Sequence, residues 1–148
     1  MTGKQNRSKG HRWERDLASW FSAAGFGDIR TGRSVTGGTQ QGADLVTVEP
    51  DGAVLLSVGG WSIEAKDCAT PAVPAWLRQA HSDADGIPYA VVHKRRGRPV
   101  HEATVHMTRE CADLLTDCFL PAGVDRTSQC LATFTTRLID QRVREVDA

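Results

Sequence analysis

Residues 44–48 read Asp44-Leu45-Val46-Thr47-Val48, and residues 61–67 read Trp61-Ser62-Ile63-Glu64-Ala65-Lys66-Asp67. Both stretches are short, apolar or β-branched, and bounded by Gly and Pro, which predicts two strands. Strand side chains alternate between faces, so Glu64 and Lys66 share one face while Ile63 and Ala65 take the other. Asp44 stands at the head of the neighbouring strand. The spacing therefore predicts a carboxylate and an ammonium side by side on a sheet, with a second carboxylate beside them. Oxygen ligands converging on one point suit Mg²⁺ or Mn²⁺, hard cations that retain several waters. A lysine next to them orients a metal-bound water or offsets charge developing on a phosphate. These groups suit phosphodiester hydrolysis.

Upstream, residues from about Lys9 predict a helix with an apolar stripe of Trp13, Leu17, Trp20, Phe21 and Ala24, closed by Gly25. Glu14 lies beside that stripe, where carboxylates are commonly just solvated. Residues 1–8 are polar and basic and read as a flexible arm. Residues 28–31 read as a short strand, and 32–42 as a polar, Gly-rich loop. After a turn at 49–52, residues 53–58 read as another apolar strand.

Downstream, residues 74–85 predict a helix buried through Trp76, Leu77 and Ala80. Gln79 on it reads as an ordinary polar helix residue rather than one directed at the Glu64–Lys66 strand. Residues 89–93 form a nearly all-apolar run, expected as a central strand parallel to 63–66. A basic tip at 94–98 leads into an expected edge strand over 100–107. A helix over 108–119 is expected to bury Cys111, Leu114, Leu115 and Cys118. The tail from about Ser128 to Val146 is amphipathic through Leu131, Phe134, Leu138 and Ile139. This order describes an α/β fold with a central mixed sheet flanked by helices. It divides into the arm, a core domain over 9–119 and a helical extension over 120–148 packed on that same domain.

At 148 residues the chain accommodates one domain with a proper core. Its 18 basic and 18 acidic residues cancel, which excludes a strongly basic DNA-coating protein. The cations are uneven, however. Lys4, Arg7, Lys9, Arg12, Arg15, Arg30 and Arg33 crowd the first 33 residues, and Lys94, Arg95, Arg96 and Arg98 form a second group. Cys68, Cys111, Cys118 and Cys130 show no CxxC spacing, and no leader is visible, so reduced thiols in a cytoplasmic protein are expected. His101 and His106 are expected on opposite faces of one strand, which disfavours zinc. No apolar run approaches membrane-spanning length. The four tryptophans fit core positions better than base-stacking platforms.

The Asp, Glu-x-Lys and upstream Glu together resemble the PD-(D/E)xK nuclease superfamily. A closer likeness lies in Lys9-Gly10-His11-Arg12-Trp13-Glu14-Arg15-Asp16-Leu17, Ala24-Gly25-Phe26, Ile29-Arg30, Asp44-Leu45-Val46, Ile63-Glu64-Ala65-Lys66 and residues 86–92. These segments resemble the archaeal-type Holliday junction resolvases, and phage-encoded relatives share the layout. Ala43-Asp44 stands where the family has Pro-Asp, and the tail after Phe119 lies outside the likeness. The resemblance implies a restriction-endonuclease-like core and a homodimer. It makes Glu14, Asp44 and Glu64 the acidic site residues and Lys66 the catalytic lysine. Arg15 and Arg30 would contact DNA phosphates near the site, and Ser34 would replace a loop Ser or Thr.

On this reading Asp44, Glu64 and the Ala65 carbonyl hold Mg²⁺, for which Mn²⁺ substitutes, and Glu14 holds a second ion or an ordered water. Arg7, Lys9, Arg15, Arg30, Arg33, Lys94, Arg95 and Arg96 would position duplex DNA through its phosphates. Cleavage is expected to leave 5′-phosphate ends. The leading expectation is a structure-selective endonuclease acting on four-way junctions in the cytoplasm, that of the host if phage-encoded. Two rivals are a restriction- or repair-type nuclease on duplex or flap DNA, and a catalytically idle DNA-binding module on the same fold.

Overall fold

Lys4, Gln5, Arg7 and Lys9 are good helix formers with no proline among them, so helix α1 runs Gly3–Ala23. The structure is a computed structural model and describes residues 3–37, 42–115 and 125–147. The arm expected over residues 1–8 is thus helical from Gly3 onward. Strand β1 (Asp28–Thr31) follows, then a short helix α2 (Gly32–Thr36) in place of the expected loop. Thr31 caps α2 by accepting from Ser34 N–H, and Gly37 closes it in the left-handed region. The expected loop residues 38–41 lie outside the described residues.

Strands β2 (Leu45–Val48) and β3 (Val54–Leu55) complete an antiparallel three-stranded sheet in the order β1-β2-β3. The strand expected over 53–58 shrinks to two exposed residues, because Gly59 and Gly60 turn Val58 into a bridge with Trp61. Strand β4 (Ser62–Lys66) crosses through helix α3 (Val73–Ala84) to β5 (Tyr89–His93), and β4 and β5 pair in parallel as expected. A 3₁₀ turn (Val100–Glu102) precedes β6 (Thr104–His106). Helix α4 (Arg109–Leu114), β7 (Ser128–Cys130) and helix α5 (Leu131–Asp147) end the chain.

The second sheet has the order β4-β5-β6-β7, parallel between β4 and β5 and antiparallel beyond. The chain is therefore an α/β protein with a four-stranded mixed sheet and a three-stranded antiparallel sheet. The expected edge strand over 100–107 is instead interior, because residues of the tail form β7 and cover it. The helix expected over 108–119 ends at Leu114, because Leu115 turns extended; Leu114 is 51% exposed, and Cys118 lies outside the described residues. Ile139 is likewise exposed, while Leu131, Phe134 and Leu138 are fully buried. Cys68 and Cys130 are exposed free thiols, and Cys111 is a buried one.

The main core lies between the sheet and helices α1 and α5. Trp13, Leu17 and Phe21 of α1 pack with Ile63, Val92, Phe134 and Leu138. Burying each such side chain stabilises the fold by roughly 1.5–3 kcal/mol relative to exposure. Trp13 also satisfies its indole N–H by donating to the Val92 carbonyl at 3.1 Å, which fixes α1 over β5. On the opposite face, α3 buries Trp76 and Ala80 against Val91. The two sheets meet where Asp44 N–H donates to the Ile63 carbonyl at 3.1 Å. No helix among the described residues is long and apolar enough to cross a membrane.

Candidate active site

Strand β4 uses its two edges differently. Ser62 N–H bonds the Pro88 carbonyl and the Lys66 carbonyl accepts from Lys94, so even positions face β5. The peptide groups of Ile63 and Ala65 face the other edge, where no continuous strand pairs. Asp44 occupies that edge. Its N–H reaches Ile63, and its Oδ2 accepts from Ala65 N–H at 2.8 Å. A strand residue's C=O projects from the same edge as its N–H, so the Ala65 carbonyl points to the side where Asp44 sits.

Asp44 is held there by α2. Gly32 N–H donates to the Asp44 carbonyl at 2.8 Å, and a Cβ on Gly32 would lie 3.0 Å from the Ala43 carbonyl oxygen. Only glycine permits that approach without a shift. Glu14 enters from α1 and is buried, with Arg33 of α2 at 3.7 Å. Glu14, Gly32, Arg33, Thr36, Gly42, Ala43 and Asp44 line a polar cleft of about 80 Å³. Glu14 is thus not the ordinary solvated helix carboxylate that its position beside the stripe alone would suggest, because the helix edge it occupies faces the β2 lead-in rather than water.

Glu64 and Lys66 project to the α3 face, as alternation requires. Glu64 is 3% exposed, and its Oε1 has no hydrogen-bond partner among the described residues. Lys66 Nζ donates to Gln79 Oε1 of α3 at 3.3 Å, so Gln79 belongs to the site and is not merely a polar helix residue. Four residues further along α3, the Asp83 carboxyl is within hydrogen-bonding reach of Glu64. Asp83 went unread in the sequence. Its only signal there was its four-residue spacing from Gln79.

The electrostatics follow from this crowding. Burial, then the Asp44 charge, raises the Glu14 carboxyl above its ordinary value, with Arg33 opposing. Burial also raises Asp44, against the Ala65 N–H, Glu64, Lys66 and Arg33. Glu64 is pushed up to about 10 by burial first, then by Asp44 and Asp83. Neighbouring buried carboxylates do not all ionise unless a cation joins them.

Among the described residues, no three His, Cys, Asp or Glu side chains already stand as a ligand cage. The donor set at β4 is instead two carboxyls and a backbone carbonyl. That set fits a hydrated Mg²⁺ or Mn²⁺, whose remaining positions are water, and the buried unpartnered Oε1 of Glu64 is the atom such an ion would satisfy.

The predicted cations divide into three groups. Arg7, Arg15 and Arg33 gather around His11, and their charges, after burial, lower its pKa. Arg33 and Arg15 also act on Glu14, and Arg33 lines the cleft. Arg30 is not part of it, since it pairs with Asp28 at 2.7 Å and lines a different groove with Arg142. Lys94 sits over the Trp13 ring at 5.8 Å, next to the end of β4. Arg95 and Arg96 are exposed in the turn beyond it, and Lys9 is half-buried on α1. Ser34 is engaged locally, its hydroxyl donating to the Thr31 carbonyl at 2.9 Å.

Comparison with protein-family models, with curated proteins and with solved structures finds no match to this chain.

Proposed function

We propose that this protein is a metal-dependent DNA endonuclease. The observation that carries the reading is Asp44 at the open edge of β4, within electrostatic reach of Glu14 on one side and of Glu64 and Lys66 on the other, with Glu64 Oε1 buried and unpartnered among the described residues. Asp44, Glu64 and the Ala65 carbonyl would hold Mg²⁺ or Mn²⁺, and Glu14 would order a water or a second ion at the same cleft. When bound, the ion acidifies a coordinated water and offsets charge on the leaving oxygen.

The chain's own groups supply the rest. Lys66, steadied by Gln79, stabilises negative charge on the phosphoryl oxygens as it develops. Burial of Glu64, with Asp44 partly buried beside it, limits bulk water and strengthens these interactions. Arg7, Arg15 and Arg33 draw the phosphate backbone toward the cleft without reading sequence. In-line hydrolysis then leaves a 5′-phosphate and a 3′-hydroxyl.

The substrate we favour is the four-way DNA junction. Symmetric cleavage of a junction requires two sites related by a two-fold axis, and one chain carries one site, so the acting form would be a homodimer. The deciding experiment offers end-labelled four-way junction, matched linear duplex and single strand to wild type and Glu64→Ala, in Mg²⁺ and in EDTA. Paired symmetric nicks confined to the junction, lost in EDTA and in Glu64→Ala, are expected. Comparable cutting of linear duplex would make the protein a general or repair-type nuclease. Binding without cutting would leave an idle DNA-binding module.

A further inference from the structure

Helix α3 lays two polar side chains along β4. As the crossover between two parallel strands, it runs antiparallel to them, so Gln79 meets Lys66 and Asp83 meets Glu64 one alternation earlier. Ser62, two residues before Glu64 on the same face, is 1% exposed, and its Oγ has no partner among the described residues. Two buried, unpartnered oxygens therefore stand on one strand face beside a second carboxylate. An unsatisfied buried oxygen is destabilising, and adjacent carboxylates repel each other.

A cation on this side answers both costs. The oxygens are carboxylate and hydroxyl, with no His or Cys among them, so the fitting ions are Mg²⁺, Mn²⁺ or Ca²⁺. The position is distinct from the cleft on the other flank, where Asp44 Oδ2 is taken by Ala65 and Glu14 faces Arg33. We propose that Asp83 is a ligand of a second divalent-cation position on the α3 side of Glu64, with Glu64 bridging it to the Asp44 position. Glu14 is then left to order water and phosphate. The inference rests on reading Asp44 and Glu64 as cation ligands, and it is independent of the choice of DNA substrate.

The test counts ions directly. Metal-stripped protein is titrated with Mn²⁺ alone, and free Mn²⁺ is read by electron paramagnetic resonance. Wild type and Glu14→Gln should each bind two ions, while Asp83→Asn and Asp83→Ser should each bind one. Circular dichroism and thermal melting confirm that each variant is folded before it is counted. One ion in wild type, or two in both Asp83 variants, would overturn the proposal. Loss of an ion in Glu14→Gln with two retained in Asp83→Asn would place the second ion at Glu14 and overturn it too. DNA cleavage is scored separately. Two ions without cleavage would remove the nuclease reading and keep the cation position, whereas one ion with cleavage would do the reverse.

Discussion

The backbone N–H of Ala65 donates to Asp44 Oδ2 at 2.8 Å, joining residues 21 positions apart. This bond sets Asp44 against the edge of β4. It also fixes the carboxyl beside that of Glu64, which creates the electrostatic conflict on which the first prediction rests.

Glu64 has an ordinary value of 4.5 and is raised to about 10 in the fold. Below pH 4.5 both folded and unfolded chains carry the proton, and no penalty exists. From pH 4.5 toward 10 the unfolded chain releases it and the folded chain does not, so the metal-free protein loses stability as pH rises. Melting in EDTA should show the midpoint falling between pH 5 and pH 9, with about 2–4 °C for each kcal/mol at this size. Glu64→Gln should flatten that dependence and melt higher than wild type at pH 8. Parallel pH profiles for the two proteins would refute the assignment.

Under the proposed function, Lys66 and Gln79 act on chemistry rather than on binding. Lys66→Ala is expected to lower single-turnover cleavage about 10²–10³-fold, the loss typical of one group stabilising transition-state charge. Gln79→Ala should cost about fivefold, because a net hydrogen bond contributes ~1 kcal/mol. DNA affinity measured in Ca²⁺ should be unchanged in both. A Gln79→Ala enzyme cleaving at the wild-type rate would show that Lys66 needs no such support.

Arg33 and Arg30 lie three residues apart but serve different surfaces. Arg33→Ala should weaken DNA binding and reduce the slope of log affinity against log salt by about one. Arg30→Ala should change neither, because its guanidinium is held by Asp28 away from the cleft. Anisotropy titrations at several salt concentrations distinguish them, and equal effects would mean that DNA tracks both surfaces.

Gly59 has φ +58°, and a Cβ there would stand 2.9 Å from a Phe26 ring carbon. Gly59→Ala combines backbone strain with a clash inside the core and should cost about 1–3 kcal/mol. Urea unfolding reads this directly. An unchanged midpoint would mean that the Phe26 ring yields freely.

Local chemistry made much of this legible from residues alone. Alternation placed Glu64 and Lys66 on one face of β4, and the 3.6-residue stripe placed Trp13, Leu17 and Phe21 in the core. The all-apolar run at β5 marked a strand covered on both faces. Failures occurred where pairing partners are distant. The residues now in β7 read as part of a helix, because three residues carry no period until β6 offers an edge. Residues 32–36 read as loop, although the Thr31 cap makes a helical turn possible.

The sequence by itself determined the α/β class and the residue types at the centre of the site, since strand and helix periods are properties of neighbouring residues. Only the tertiary structure decided that Glu14 is buried, that Asp83 and Gln79 reach β4, and that Arg33 rather than Arg30 faces the cleft. Those facts depend on how α1, α2 and α3 dock on the sheet. Docking is set by long-range packing such as Trp13 on Val92, which no local spacing encodes.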